Sequence, residues 1–145
     1  MIRIRPMAQS DIVAIAEIES ETLSPWSTFY LEGEMQVADG VRFVAETTAG
    51  IVGWCSCRLI APEAELFKIT VQRESRRQGV AISLLDRLVK ELRRQNIEKL
   101  VLEVRAANKE GKSFYQQQGF FQVGDRPGYY SNPPDNALVF CKTII

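Results

Sequence analysis

Five apolar residues, Ala81, Leu84, Leu85, Leu88 and Leu92, recur at helical spacing, while Arg87, Lys90, Glu91 and Arg94 fall between them. That period predicts an amphipathic helix that opens just after Gly79 and packs on a sheet. Two β-rich runs flank it, residues 65–71 and 99–105. Strands joined by a helical crossover run parallel in one sheet. Upstream, Met1-Ile2-Arg3-Ile4-Arg5 alternates like a short strand, and Ser10 or Asp11 is placed to cap a helix that carries Ile12, Ile15 and Ile18 and ends near Leu23. Leu23-Ser24-Pro25-Trp26-Ser27 reads as a turn, with Ser27 capping a second helix through Met35. Residues 41–46 and 51–60, joined by Thr47-Thr48-Ala49-Gly50, predict a hairpin; residues 65–71, after a turn at Ala61-Pro62-Glu63, extend it into an antiparallel meander. Asn108 caps a short helix that Gly119 stops in the left-handed conformation, and residues 121–123 and 137–143 supply two last strands.

Composition narrows the chemistry. The 145 residues suit one domain, 1–145, with a single sizeable core. Acidic and basic residues balance at 18 each, which argues against general nucleic-acid binding and makes any electrostatic function local. Three cysteines, with no signal peptide, point to a reducing compartment and a cytoplasmic protein. Cys55 and Cys57 share one strand face but lack further ligands for a metal, so no metal is expected. No apolar run is long enough to cross a bilayer as a helix, so no membrane partner is expected. With no histidine, neither a Ser-His-Asp triad nor a Cys-His pair can be built, and proton transfer falls to carboxylates, Tyr, Lys or Cys.

Arg76-Arg77-Gln78-Gly79-Val80-Ala81 occupies the strand-to-helix junction, where the first amides of a helix lack intrahelical partners and the dipole adds roughly half a positive charge. The run reads either as a solvated basic turn or as an anion cradle, with Gly79 allowing close backbone approach. A ligand there lies near the C-terminal edges of both parallel strands. On the second strand, Val101, Glu103 and Arg105 share a face, so Glu103 either pairs with Arg105 or another surface charge, or is desolvated toward the pKa of a general base. Tyr115 reads as a core aromatic or as a phenolic proton donor, Phe114 as a core aromatic, and Asn108 as a helix cap.

Taken together, these residues resemble the GNAT superfamily of N-acetyltransferases, whose phosphate motif is Gln or Arg, two variable residues, Gly, one variable residue, then Gly or Ala. Residues 76–81 fit it in the context of strand, motif, long helix, strand, then Asn108 and Phe114-Tyr115 before Gly119-Phe120. Pro25-Trp26-Ser27, Leu66-Phe67-Lys68-Ile69-Thr70-Val71, Leu102-Glu103-Val104-Arg105 and Arg126 with Tyr129-Tyr130 further resemble bacterial ribosomal-protein alanine N-acetyltransferases across nearly the whole chain. The resemblance implies an α+β (α/β/α) fold, with a mixed central sheet of about six or seven strands, about four helices and splayed parallel central strands.

It also implies a site. Acetyl-CoA would lie in the splay, its pantetheine arm on the backbone of Ile69, Thr70 and Val71 and on Asn108. Its pyrophosphate would meet the Arg76-Arg77-Gln78-Gly79-Val80-Ala81 run and Ile82. A backbone N–H near Val71 would hold the thioester oxygen, Glu103 would take a proton from the acceptor amine directly or through a water, and Tyr115 would protonate the departing thiolate. Trp26, Tyr129 and Tyr130 would rim a groove for an extended peptide. The implied acceptor is the N-terminal α-amine of a protein, a ribosomal protein with N-terminal Ala foremost. Alternatives are a lysine side chain, a small-molecule amine, or a non-catalytic acetyl-CoA-binding module. Three departures mark this chain: Gly111 where the family usually has Ala, Asp135-Asn136-Ala137 where the group commonly has Glu-Asp-Ala, and uncharged Ile82 and Ser83 just past the motif.

Overall fold

The computed structural model describes residues 1–144. In chain order these form β1 (Arg3–Pro6), a 3₁₀ turn (Gln9–Asp11), α1 (Ile12–Glu19), α2 (Thr28–Met35), β2 (Gly40–Thr47), β3 (Gly50–Ile60) and β4 (Glu63–Val71). A second 3₁₀ turn (Arg73–Ser75), α3 (Val80–Arg94), β5 (Lys99–Arg105), α4 (Lys109–Gln117), β6 (Phe121–Ser131) and β7 (Pro134–Thr143) follow. The seven strands make one sheet in the order β1-β2-β3-β4-β5-β7-β6, in which only β4 and β5 run parallel. This is the α+β arrangement implied by the resemblance.

Burial follows the hydrophobic pattern. Leu84, Leu85, Leu88 and Leu92 of α3 are buried with Leu100, Leu102 and Val104 of β5 in a core on one face of the sheet. On the other face a smaller core gathers Ile12 and Ile15 of α1, Leu31 of α2, Val44 and Trp54. Three local expectations are corrected. Helix α1 stops at Glu19 rather than near Leu23, because Ser20 and Thr22 turn their hydroxyls back to the carbonyls of Glu17 and Glu19 and compete with helix continuation. Neither Ser10 nor Asp11 caps it through its side chain. Asp11 instead accepts from the Ala8 amide at 2.7 Å and takes the Arg5 guanidinium bidentately at 2.8 and 2.9 Å. Strand β6 does not stop at Val123: Gly124, Pro127 and Gly128, which look like breakers, are absorbed by register shifts between Gln122 and Gly124 and between Arg126 and Tyr130.

The feature that positions the site is the parting of β4 from β5. Their ladder pairs Glu63 with Lys99 through Leu66 with Leu102 and ends there, although β4 continues to Val71 and β5 to Arg105. At the same point β4 bulges against β3, where Ser56 pairs with Lys68 but Cys57 pairs with Leu66. An extra residue on one strand bends it and sharpens its twist, so the bulge at Phe67 turns the end of β4 away from β5. The β5-side edge of β4 beyond Leu66 is thereby left without a strand partner. Gly53 on β3 lets α3 start close by, since a Cβ there would lie 3.0 Å from Val80 Cγ1 and 3.1 Å from the Thr70 carbonyl.

The parted half of β4 is held from the other side by Glu19. This carboxylate, fully buried at the end of α1, accepts from Trp54 Nε1 at 2.9 Å, Thr70 Oγ1 at 2.8 Å and the Trp26 amide at 3.0 Å, and pairs with Lys68 Nζ at 3.0 Å. Removing one member of a buried, hydrogen-bonded charge pair costs about 3–5 kcal/mol. We expect Glu19→Ala to lower the unfolding free energy by that amount in urea titration. A loss under about 1 kcal/mol would contradict the holding role.

Candidate active site

The turn between β4 and α3 is shaped for an anion. Arg77 has φ +62° and Gly79 has φ +81°, so two nearby residues take the left-handed conformation, one of them a bulky non-glycine. Such a sequence of turns points successive amides into one concavity. Among the described residues, no backbone N–H from residue 77 to residue 82 donates to a protein acceptor, and the first intrahelical bond is from the Ser83 amide to the Gly79 carbonyl at 3.0 Å. Gln78, Gly79 and Ile82 are exposed, whereas Val80 is buried and Ala81 packs on the core. Arg76 folds back, its Nε donating to the Val71 carbonyl at 3.3 Å, and Arg77 extends into solvent. Six amides without partners at a helix start match the requirement of a diphosphate.

Next to the cradle, Val71 and Thr70 end the parted strand, and Ile69 lies opposite Cys55. The Thr70 hydroxyl is committed to Glu19, so only its backbone is available at the strand edge. Glu103 is the first residue of β5 past the last β4 pair. It does not pair with Arg105, whose guanidinium donates to the carbonyls of Pro133 at 2.8 Å and Asn132 at 3.2 Å and lies 4.1 Å from the Tyr130 ring centre. Glu103 pairs instead with another surface charge, Arg126, whose Nε lies 2.7 Å from the buried Oε2 without the alignment of a hydrogen bond.

Tyr115 sits on α4 between the rings of Phe114 and Phe120, at centroid distances of 5.3 and 5.4 Å. Burial, with a contribution from Cys55, pushes its phenol well above the usual range, so it keeps its proton at neutral pH. The thiols of Cys55 and Cys57 are likewise pushed up to about 12 by burial. Asn108 caps α4, its Oδ1 accepting from the Gly111 amide at 2.9 Å. Gly111 makes room for that arrangement: a Cβ there would fall 2.5 Å from Asn108 Nδ2. Among the described residues, no group of three or more Cys, Asp or Glu side chains is placed to hold a metal ion.

On the acceptor side, Tyr129 and Tyr130 lie within strand β6 rather than in a loop, their rings 5.1 Å apart, with Arg126 over Tyr129. The negative charge of Glu103 is the largest influence raising the Tyr129 phenol, with burial second. The Asp135-Asn136 pair is structural: Asp135 accepts from the Ala107 amide at 3.1 Å, and Asn136 accepts from the Gly128 amide at 2.8 Å, fixing the left-handed turn that aims both tyrosines. Trp26 stands edge-on to Trp54 at 5.6 Å and lines a groove of about 340 Å³ with Phe29, Tyr30, Arg58 and Phe67, a lining that does not include Tyr129 or Tyr130. Sequence reading missed Glu19, Glu65 and this groove. The signal for Glu19 was its spacing, since it continues the buried stripe of Ile12 and Ile15 at i+7.

A family model described as the Acetyltransferase (GNAT) family matches residues 11–120. The chain is 31% identical over 150 residues to the ribosomal protein bS18-alanine N-acetyltransferase of Escherichia coli (strain K12), covering 99% of each. It is 30% identical over 136 residues to the enzyme of that name from Haemophilus influenzae (strain ATCC 51907 / DSM 11121 / KW20 / Rd), covering 89% of this chain and 90% of the other. The crystal structure of the ribosomal-protein-S18-alanine N-acetyltransferase from Escherichia coli superposes with a TM-score of 0.91 at 27% identity, covering 99% of this chain and 94% of that one.

The cradle's conformation makes a paired prediction. Arg77→Gly relieves a positive-φ residue and should raise stability by up to about 1 kcal/mol. Gly79→Ala, whose Cβ meets nothing within 4 Å, should lower it by about 1–2 kcal/mol through the backbone alone. Urea titration of both variants reads the two signs. Equal signs would remove the left-handed assignment at one position.

Proposed function

The chain belongs to the GNAT acetyltransferase family, and from that premise we propose that it carries the acetyl group of acetyl-CoA to the N-terminal α-amine of a protein, a ribosomal protein with N-terminal Ala foremost. Acetyltransferase activity comes with the family; the α-amine and the ribosomal acceptor are the reading offered here. The relatives' names support it, and one structural observation carries it: the buried Oε2 of Glu103, met by the charge of Arg126 but by no hydrogen bond, at the point where β4 and β5 part, downstream of a row of unpartnered amides. A proton acceptor and a diphosphate cradle stand at two ends of one gap. We place the reaction in the cytoplasm, where ribosomal proteins are made.

The chain's own groups cover each requirement of the transfer. Acetyl-CoA supplies an activated thioester. The amides of residues 77–82, with Val80 and Ala81 in the first turn of α3, hold the diphosphate, and Arg76, Arg77 and Gln78 border it. The parted edge at Ile69, Thr70 and Val71 orients the pantetheine arm together with Asn108. A preorganised amide at that edge, facing the oxygen on which negative charge develops, contributes about 3–4 kcal/mol in comparable sites. Glu103 removes a proton from the acceptor ammonium, directly or through a water, so that the nitrogen lone pair can form the C–N bond as the C–S bond breaks. Tyr115, which keeps its proton at neutral pH, donates to the sulfur. Neither step needs histidine.

Each acid–base group is worth about 10²–10⁴ in rate. We expect Glu103→Gln and Tyr115→Phe each to reduce acetyl transfer by that factor with folding intact, measured by CoA release. If both variants work at the wild-type rate across pH, the assignments are wrong. A second measurement tests the acceptor: peptides differing only in their first residues, with the acetyl group located by mass. Modification of the α-amine, best with N-terminal Ala, is the expected result; modification of lysine alone would overturn the N-terminal reading.

A further inference from the structure

Glu65 stands beside the proton acceptor without a partner of its own. The parallel ladder puts it opposite Val101, two residues before Glu103. Leu66 and Leu102 turn into the α3 core, so Glu65, Val101 and Glu103 share the opposite face at the edge of the gap. None of the guanidinium groups around it makes an ion pair with it. Arg126 lies on Glu103 at 2.7 Å. Arg58, directly opposite Glu65 in the β3–β4 ladder, pairs through Nη2 with Glu34 at 3.2 Å and stacks 4.9 Å from the Phe67 ring centre, its buried Nε making no hydrogen bond. Arg105 is held by the carbonyls of Asn132 and Pro133. Among the described residues, Glu65 makes neither an ion pair nor a side-chain hydrogen bond. Burial and then the charge of Glu103 push its carboxyl above the usual range, while Arg126 and Arg58 pull the other way.

We propose that Glu65 receives the acceptor's ammonium group and so selects a cationic amine, an inference that rests on the acetyl-transfer reading above. A partly desolvated carboxylate without a donor carries a penalty that a cationic guest removes. An ammonium has three N–H donors, and the carboxylates at hand to accept them are Glu65, without a partner of its own, and Glu103, whose Oε2 meets Arg126 without a hydrogen bond. With two carboxylates and one guanidinium, this group keeps one negative charge for the guest. The division of labour follows: Glu65 docks the cation and Glu103 takes the proton. Acetylation then removes the positive charge, so the amide product loses the contact that held the substrate, which favours its release.

The test is steady-state kinetics of wild type, Glu65→Gln and Glu65→Asp with a peptide acceptor and acetyl-CoA. Loss of a hydrogen bond to a charged partner corresponds to at least about a tenfold rise in the acceptor's KM for Glu65→Gln. The KM for acetyl-CoA should stay near the wild-type value, Glu65→Asp should recover part of the loss, and the salt dependence of the acceptor's KM should flatten in Glu65→Gln. An unchanged acceptor KM overturns the proposal. So does a parallel rise in both KM values with a lowered Tm, which would mark a purely structural role. If wild type leaves peptide α-amines untouched, the acceptor reading fails on its own, and the same KM split is read on the amine that wild type does acetylate.

Discussion

After Leu66 and Leu102 pair, β4 gives up the ladder bonds of β5, and the buried carboxylate of Glu19 takes over the task of holding it. A strand end with one free edge is ordinarily a place to fray or to pair with something else. Here the same four-partner contact that fixes Lys68 and Thr70 also fixes Trp54 on β3 and the amide of Trp26 after α1. The edge is therefore anchored and unpaired at once. A ligand arm can add to it as a strand would, without the protein having to order that edge at the moment of binding. The cost of burying Glu19 is met by three hydrogen bonds and one ion pair, which leave it no unused charge to compete with Glu103.

The two ends of the gap carry opposite electrostatics in a chain of zero formal net charge. At one end, unpartnered amides and the α3 dipole favour negative charge. At the other, Glu65 and Glu103 outnumber Arg126. No global field does this sorting; the backbone conformation at Arg77 and Gly79 and the register of two strands do. The left-handed geometry at Arg77 is informative because glycine would adopt it at lower cost. A strained side chain kept at an exposed turn is expected where its charge is useful beside a ligand.

Much of this was legible in the sequence. The period of α3, the parallel flanks on either side of it, the meander before it and the glycine of the cradle are local signals, and each element was placed by its own residues. What was not legible depends on pairings far apart in the chain. The bulge at Phe67 arises from how β4 registers on β3. The length of β6 depends on β7 absorbing Gly124, Pro127 and Gly128 through register shifts. Glu103 offered Arg105 as a partner by proximity, yet the hairpin claims Arg105 and delivers Arg126 instead. Glu19 looked like the polar end of a helix until the sheet brought Trp54, Thr70 and Lys68 onto it.

Without histidine, a protein working near neutral pH must separate the groups that accept and donate protons by environment rather than by residue type. The two candidates are built in opposite surroundings. Glu103 lies on a sheet face with a guanidinium and another carboxylate within reach. Tyr115 lies between two phenylalanine rings, where burial keeps the phenol neutral. On the proposed reading the first accepts the ammonium's proton, and the second, neutral until the thiolate departs, supplies one. On the proposed reading that asymmetry needs strands β4 and β5 to part, because a gap between them is what would let a group on the sheet face and a group packed on the opposite core address one ligand. The chemistry of the site is in this sense a consequence of a ladder that stops four pairs in.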